Sequence, residues 1–516
     1  MELPTAKLDS APNSYINRQV PSVLGEIHEF GRIDAESEKQ LGQFFLRTDG
    51  YQRIENQNHI VVTGRKGTGK TAIYKTLIDR SNEFSNVLVA GLQFRNYPWG
   101  VHSNVRDQDA ASVERYFNSW KFLILVELSK LVLTDSDHEL PEDENATKAA
   151  EVLSGFIQTN WGSLDFEFRD IFKKKKFSFQ FEPKVFGVSL GSLQIEDVPR
   201  DRLAGFLEEA NRWLFQCLSY ILASDHWYYV LFDDLDLAYN PDDAEYEARL
   251  VGLLLAARDV FNWAGEKGLD VAPVIFIRSD IYDSLQFPDK NKITQNLVES
   301  LTWNDDEDGG DSSLKTLINQ RIRVILGDRS ADWDQVFEDQ LMRGTQTKFK
   351  HMAARTYLRP RDMIFFANSC LEAAKKAGAE KITNQNVAEA RPKYSEFLVA
   401  ELDDEIHPVL EGWGSLLDVL RRIHTMRFSR DIFASSFAEL KLEDRLGHTV
   451  EDALELLYRF SVLGFVKIGG AGYGGSATAF RYRSPSISFD PAATTLVVHP
   501  GLKEALELVE SGEERR

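Results

Sequence analysis

The chain has 516 residues, of which 43% are hydrophobic, with a formal net charge of −20 and two cysteines. This composition is sufficient for the cores of two to four domains, while two cysteines exclude a disulfide framework and a cysteine-based zinc site. The acidic balance repels polyanions, so any nucleic-acid contact needs a local basic face. No apolar run is long enough for a membrane span and no signal peptide is evident, so we expect a soluble, cytoplasmic protein without a membrane partner.

The first predicted helix precedes the first strand. Residues 1–25 have the composition of a polar N-terminal arm, and residues 30–45 carry a helical pattern. Asp34 suits the N-cap of this helix, and Leu41 and Phe44 contribute an apolar face. A helix in this place can cover the adenine of a nucleotide if the loop after the strand binds one. It can equally be a packing helix without ligand contact.

The most specific motif lies in His59–Leu77, which reads HIVVTGRKGTGKTAIYKTL. An apolar strand, a glycine-rich loop and a helix in this order are the context of G-x-x-x-x-G-K-[ST], whose backbone N–H groups and helix dipole cradle phosphates. Lys70 can reach the β- and γ-phosphates, and the Thr71 hydroxyl can bind Mg²⁺. The sequence therefore predicts a nucleoside triphosphate site with magnesium. Its binding residues are Gly64, Arg65, Lys66, Gly67, Thr68, Gly69, Lys70, Thr71 and Ala72.

An insertion is predicted at about residues 135–200, after a second buried strand at Val87–Phe94. It begins as an acidic loop and continues through residues 170–195, whose alternation of apolar and polar residues predicts a β-hairpin. The run Lys173–Lys176 can meet nucleic acid or an acidic partner. A solvated edge that blocks strand pairing is the commoner explanation of such a run.

Three carboxylates follow the next buried strand, at Asp233, Asp234 and Asp236. Carboxylates at the end of an apolar strand are costly unless a cation or shared protons accompany them. In a phosphate-loop site that cation is Mg²⁺, so we assign Asp233 to the metal and Asp234 to catalysis, where it orients or deprotonates the attacking water. An N-cap cluster for the following helix is the alternative, especially for Asp236.

A further strand ends at Arg278, within Val271–Leu285. Ligands of open parallel sheets bind at the carboxyl ends of the strands, which predicts that Arg278 lies near the γ-phosphate and acts with Lys70 in catalysis. A salt bridge with Asp280 or Asp283 is the alternative.

Two domains are predicted after the nucleotide-binding core of residues 26–300. Residues 301–408 have the pattern of a helical lid, with Arg359 and Arg361 at the start of one helix. Residues 409–510 show helices followed by a β-hairpin, which is typical of a winged-helix domain, and residues 511–516 form a tail that we expect to be disordered. The predicted hairpin carries three cations that either bind DNA phosphates or belong to a protein-docking module. These are Lys467, Arg481 and Arg483.

Taken together, several motifs resemble a bacterial P-loop ATPase family of the AAA+/STAND type, laid out like origin-recognition ATPases and often found in anti-phage defence loci. The motifs are FGRIDAE, GRKGTGKTA, VLFDDLD, FIRSD, RPRD, LYRFSVLGFVK and LVVHPGL. The resemblance implies an α/β class fold, an αβα sandwich with helical lid and winged helix, and ATP as the nucleotide. It places Arg278 on the sensor strand, and Arg359 or Arg361 where a lid arginine contacts the γ-phosphate. Asp234 stands where glutamate is usual, which favours slow hydrolysis.

Two main functions fit these features. The first is a slow ATPase that acts as a molecular switch. It hydrolyses ATP to ADP and phosphate and delivers its output to a co-encoded effector protein or through a homo- or hetero-oligomer, in antiviral defence. The alternative is an origin-recognition-like ATPase that binds duplex DNA through the winged helix. A protein that binds nucleotide only for structure is a weaker third possibility.

Overall fold

The computed structural model describes residues 23–108, 110–111, 114–134, 143–181, 193–238, 243–467 and 477–510. Its strands are β1 (Val61–Gly64), β2 (Val87–Gln93), β3 (Lys176–Phe181), β4 (Leu193–Pro199), β5 (Trp227–Asp233), β6 (Asp270–Arg278), β7 (Val298–Ser300), β8 (Arg427–Ser429), β9 (Leu463–Lys467), β10 (Ala477–Ala479) and β11 (Thr495–Val498). The predicted tail, most of the predicted N-terminal arm and the first residues of the insertion lie outside the described residues.

The helices of the first half are α1 (Val23–Glu26), α2 (Leu41–Phe44), α3 (Asp49–Glu55), α4 (Lys70–Glu83), α5 (Trp99–His102), α6 (Phe117–Thr134), α7 (Glu144–Trp161), α8 (Ala204–Ile221), α9 (Ala244–Lys267), α10 (Ser279–Ser284) and α11 (Lys290–Leu297). Those of the second half are α12 (Leu314–Leu326), α13 (Trp333–Val336), α14 (Lys348–Ala353), α15 (Pro360–Lys376), α16 (Asn384–Ile406), α17 (Gly414–Ile423), α18 (Arg430–Glu439), α19 (Leu442–Leu446) and α20 (Val450–Arg459). None of the helices in these ranges combines the length and apolar character that a membrane span requires.

A five-stranded parallel sheet, in the order β2-β5-β6-β1-β7, forms the centre of the core. Its strands are nearly continuous apolar runs because helices cover both faces of such a sheet. In register, Gly64 pairs with Arg278 and Gln93 pairs with Asp233. The carboxyl ends of four strands therefore meet along one edge, as the predicted α/β P-loop sandwich requires, and this fold class is confirmed.

The helices around the sheet explain the apolar stretches between the motifs. Helix α4 packs against β1, β2, β5 and β6, while α6 and α9 pack against each other and against the sheet. Helix α6 is apolar on nearly all sides because α7 and α8 cover the face that does not meet the sheet. The insertion contributes α7 to this outer layer, and its predicted hairpin is present as the antiparallel pair β3 and β4.

The prediction of one helix over residues 30–45 is wrong. Only α2 is helical there, and Gly31 adopts the left-handed conformation with φ of 96°. Asp34 does accept from the Ser37 N–H at 2.8 Å, as an N-cap does, but only a turn follows at residues 35–37. Glu38 then accepts from the Arg32 N–H, six residues earlier, at 2.7 Å, which fits a turn but not a continuous helix.

The helical domain, residues 301–408, is built on two long antiparallel neighbours, α15 and α16. Their aromatic rings stack across the interface, with centroids 3.9 Å apart for Phe365 and Phe397 and 4.5 Å apart for Phe366 and Tyr394. Pro360 occupies the first turn of α15, where a missing N–H costs nothing. The domain therefore has a rigid core that presents the start of α15 to the phosphate loop.

The C-terminal module, residues 409–510, combines α17, α18, α19 and α20 with an antiparallel sheet in the order β10-β9-β11-β8. Helices followed by the hairpin of β9 and β10 are the order that the winged-helix prediction requires. On α20 the exposed positions include Glu451, Asp452 and Glu455, so the outer face of this helix is acidic.

Two glycines of α9 give a test of the core packing. A Cβ on Gly252 would lie 2.8 Å from the Tyr116 Cβ, whereas one on Gly265 would have no heavy atom within 4 Å. Gly252→Ala should therefore destabilise the protein by about 1–3 kcal/mol through overpacking. Gly265→Ala should stabilise it by about 0.5–1 kcal/mol, as expected for a helix interior. Urea unfolding of both variants measures the difference, and equal effects would contradict this packing.

Candidate nucleotide site

The phosphate loop connects the end of β1 to the start of α4. Gly67 and Gly69 have φ of 84° and 106°, so both positions need glycine. Lys70 is half-buried, and its Nζ donates to the carbonyls of Gly64 and Arg65 at 2.9 and 3.2 Å. Burial lowers the pKa of Lys70, an effect that the nearby Asp236 and Asp233 oppose. The ammonium thus lies inside the loop, in a place suited to a polyanion.

Thr71 and Asp233 lie together, as predicted for a magnesium site. Thr71 lies close enough to Asp233 to lower the pKa of its carboxyl, and Oδ2 of Asp233 has no hydrogen-bond partner among the described residues. Burial and the neighbouring Asp234 raise the pKa of Asp233 to about 7. A hydroxyl and a carboxylate are the hard oxygen ligands that Mg²⁺ takes together with phosphates and water, so these residues fit the ion.

Within the described ranges, no group of three or more histidines, cysteines or carboxylates could hold a metal by itself. A site with one hydroxyl and one carboxylate is consistent with this finding, because Mg²⁺ in nucleotide sites takes most of its ligands from phosphates and water. Any magnesium here would therefore arrive with a nucleotide.

Asp234 follows Asp233 in a left-handed conformation with φ of 62°. Its Oδ2 has no hydrogen-bond partner in the described structure and lies 3.7 Å from Nε of Arg95. Burial raises the pKa of Asp234, and the Arg95 charge opposes that shift. The carboxylate can therefore accept a bond from water. Arg95 was not predicted, although the pairing of β2 with β5 places the end of β2 beside these aspartates.

Arg278 lies at the end of β6, beside Gly64, but its guanidinium is occupied. Nε donates to Oδ1 of Asp280 at 3.0 Å and Nη2 donates to Oδ2 at 2.7 Å. This ion pair is the alternative that the sequence left open. A role of Arg278 at the γ-phosphate stays a prediction, and it requires the side chain to leave Asp280.

Arg359 and Arg361 reach the phosphate loop from the helical domain, on its outer side. Nη1 of Arg359 donates to the Lys66 carbonyl at 3.0 Å and to Glu405 at 2.7 Å. The backbone N–H of Arg361 donates to the Gly67 carbonyl at 3.4 Å. Both arginines thus contact the loop backbone, and their contact with a γ-phosphate stays a prediction.

Two predicted binding residues direct their side chains away from the inside of the loop. Arg65 donates to Glu405 at 3.1 Å, and Lys66 pairs with Asp404. Their contribution to phosphate binding is therefore limited to their backbone N–H groups. The Thr68 side chain is also occupied within the loop, since its hydroxyl donates to the Arg65 carbonyl at 2.9 Å. Its predicted contribution to phosphate binding is therefore limited to its backbone N–H as well.

A mainly apolar cavity of about 220 Å³ adjoins the loop beside Gly69 and Ala72. Leu41 and Phe44 of α2 line it, so the segment predicted to cover a base does reach this place despite its different conformation. Trp303 also lines the cavity, and its Nε1 donates to the Thr68 carbonyl at 2.9 Å. No motif in the sequence pointed to Trp303.

The parallel sheet, the phosphate loop between β1 and α4, and the aspartates at the end of β5 together identify the fold of the core. The core is a P-loop NTPase sandwich. A family description, the FunZ-associated C-terminal helical domain, matches residues 312–403, which lie within the helical domain. The putative transposon gamma-delta 80.3 kDa protein of Escherichia coli (strain K12) is 23% identical over 509 residues, covering 93% of this chain and 67% of that protein.

Solved structures show similarity at lower identity. The ORC1 protein of Aeropyrum pernix in complex with DNA is 12% identical, with 92% of this chain and 96% of that chain covered and a TM-score of 0.39. The ORC2 protein of the same organism, in ADPNP-ADP complexes, is 12% identical, with 88% of each chain covered and a TM-score of 0.38. The RuvB Holliday junction branch migration motor of Thermotoga maritima is 12% identical, with 91% of this chain and 93% of that chain covered and a TM-score of 0.29.

The buried carboxylate of Asp233 generates a prediction for the nucleotide-free protein. Because folding raises its pKa from 3.8 to about 7, stability falls as pH rises between these values, and the full cost is present above pH 7. Asp233→Asn removes that cost. Its stability relative to the original protein should therefore be greater at pH 8 than at pH 5, by about 2 kcal/mol. Urea unfolding at both pH values tests this, and a difference independent of pH would contradict it.

Proposed function

We propose that the protein is a Mg²⁺-dependent ATP switch with slow hydrolysis. The observation that carries this proposal is the position of the Lys70 ammonium inside the phosphate loop, at the edge of the sheet where β5 ends in Asp233, whose buried Oδ2 has no hydrogen-bond partner among the described residues. An ammonium, a hydroxyl and a carboxylate in this arrangement match the groups that bind a triphosphate and its metal. The metal, when bound, neutralises charge on the β- and γ-phosphates.

The apolar cavity beside the loop supports a purine nucleotide. It begins at Gly69 and Ala72, where a phosphate chain in the loop would lead towards its ribose and base. Apolar side chains from α2 and from α12 of the helical domain line it, including Phe44 and Leu317. A base in this cavity would touch the core and the helical domain together, so nucleotide binding would bias their relative position.

The residues around the γ-phosphate position explain slow turnover. Asp234 would orient the attacking water and accept its proton, and its short side chain positions water less reliably than glutamate would. Arg278 would have to exchange Asp280 for the phosphate before it could stabilise charge there. Both features suit a switch that stays in one state for a long time.

The proposed output of the switch is delivery to a co-encoded effector protein or through an oligomer, in antiviral defence. The family resemblance of the motifs supports this part of the proposal. The cytoplasm is the proposed location. The test is to purify the protein with its gene neighbours and ask which of them binds only in the presence of ATP.

The positions of the side chains support the DNA-binding alternative less well than the ATP switch. Arg481 and Arg483 pair with Asp283 and Asp305 of the rest of the chain, at 3.5 and 3.4 Å. Three of the four exposed residues of α20 between 451 and 459 are acidic, the fourth being Arg459, so this face repels phosphates more than it attracts them. Duplex DNA binding that weakens steeply with salt, and that is lost when these two arginines and Lys467 become alanine, would restore this alternative.

Lys70→Ala tests the binding site. Removing the ammonium leaves the phosphates without their buried cation, so the dissociation constant for ATP should rise at least about a hundredfold. Asp79→Ala, an exposed position of the same helix, should leave it within about twofold. Isothermal titration with ATP and Mg²⁺ measures both variants. Unchanged affinity in Lys70→Ala would exclude this site.

Asp234→Asn tests the assignment of the base. The variant should bind ATP with nearly the original affinity, while phosphate release should fall by about 10²–10⁴-fold, the usual contribution of a general base. A phosphate-release assay in single and multiple turnover measures this. Undiminished release would remove Asp234 from the mechanism, and no release from the original protein would favour nucleotide binding for structure alone.

A further inference from the structure

We infer that Arg321, on α12 of the helical domain, reads the base of the bound nucleotide by donating a hydrogen bond to a ring nitrogen of a purine. The inference deepens the proposed function and rests on it, because the triphosphate must first occupy the phosphate loop. Arg321 lines the apolar cavity beside the loop together with Leu317, which lies one helical turn earlier on the same face of α12. Its side chain therefore borders the place where the proposed base would lie.

The guanidinium of Arg321 is buried but poorly satisfied. Only 6% of the residue is exposed. Among the described residues its one hydrogen bond runs from Nη1 to the carbonyl of Phe30, at 2.7 Å. This leaves Nε, which is buried, and Nη2 without an acceptor in the described part of the chain. Buried donors are normally paired because an unpaired one costs free energy, so a ligand that brings an acceptor into the cavity would be favoured.

The carboxylate of Glu38 does not complete the pairing. Its Oε2 lies 3.8 Å from Nη1 of Arg321, beyond hydrogen-bonding distance, and its two oxygens accept from the backbone N–H groups of Arg32 and Gln40. Burial lowers the pKa of Arg321 to about 10, against the opposing effects of Glu38 and Glu29. The group is still a cation at neutral pH. An acceptor in the cavity would therefore meet a charge that the protein compensates only in part.

Helix α2 and the segment before it hold the guanidinium in a fixed place. Its carbon lies 4.8 Å from the ring centroid of Phe44, as in a cation–π contact. Gly31 is left-handed, and a Cβ there would lie 2.1 Å from Nη1, so glycine is needed for the chain to pass this close. A donor that is already held in place loses little freedom when a ligand binds, which suits a residue that selects the ligand.

The chemistry of arginine decides which edge of a base it can read. A guanidinium carries N–H donors and no acceptor, so it repels an amino group and bonds an unprotonated ring nitrogen. Adenine offers such nitrogens at N1, N3 and N7. Arg53 and Glu299, which also line the cavity, satisfy each other through hydrogen bonds of 2.7 and 2.9 Å. Arg321, by contrast, has donors left for a base.

Analogues of ATP in which N1, N3 or N7 is replaced by a C–H group test this contact. Isothermal titration with Mg²⁺ compares each analogue with ATP on the original protein and on Arg321→Met. One analogue should bind the original protein at least about tenfold more weakly than ATP does, because it lacks the acceptor of a charge-assisted hydrogen bond. Arg321→Met should bind ATP weakly by a similar factor, and it should bind that analogue no more weakly than ATP.

Arg323→Met is the matched control. It makes the same substitution on the same helix, but Arg323 donates to the Ala331 carbonyl at 3.2 Å and does not line the cavity. This variant should keep its ATP affinity within about twofold and should still discriminate against the analogue. Inorganic tripolyphosphate, which has no base, should bind Arg321→Met and the original protein equally. If Arg321→Met fails to fold, Arg321→Lys keeps the charge without the planar fork, and its discrimination against the analogue should also be reduced.

Three results would each overturn the inference. They are undiminished ATP affinity in the folded Arg321 variant, equal affinity of the original protein for ATP and all three analogues, and an equal loss of affinity for tripolyphosphate. If the original protein bound neither ATP nor tripolyphosphate, the proposed function itself would be overturned, and the inference with it.

Discussion

Two incompletely satisfied charges dominate the site, the half-buried ammonium of Lys70 and the buried carboxylate of Asp233. Burial lowers the pKa of Lys70 and raises that of Asp233, and the described structure supplies neither with a close ion-pair partner. A cation and an anion that are held apart in a low-dielectric site favour a ligand that carries both negative and positive charge. A triphosphate with its metal has this composition. The parallel sheet keeps the two charges in place, because β6 separates the strands that carry them and aligns their carboxyl ends.

The same edge of the sheet explains why the site depends on the helical domain. The start of α15 lies against the outer side of the loop, and Arg359 binds the Lys66 carbonyl from a position that is only 1% exposed. Such a buried network holds its geometry only while every member is paired. A rearrangement of the loop would therefore act on the helical domain through this network, in addition to the contacts that a base in the adjoining cavity would make with it. Because the loop and the start of α15 are in direct contact, coupling between them does not have to pass through a chain of intervening residues.

Local signals made much of the fold predictable. The phosphate loop, the aspartates after β5 and the hairpin of β3 and β4 each follow from neighbouring residues, since glycine spacing, an apolar run or alternation specifies them. The predicted helix at 30–45 failed although Asp34 caps a turn as expected, because Gly31 is left-handed and Glu38 folds back onto the Arg32 N–H. Helical periodicity does not reveal such a turn.

The contacts of Arg65 could not have been predicted in the same way. Its partners Glu405 and Phe460 are 340 and 395 residues away in the chain. No periodicity or motif links positions so distant, and the motif itself treats Arg65 as variable. Trp303 escaped notice for a similar reason, since its bond to the Thr68 carbonyl spans 235 residues. Motifs identify the atoms that bind a ligand, whereas the packing of distant segments decides what that binding moves. In this chain, the coupling of the site to the other domains is therefore visible only in three dimensions.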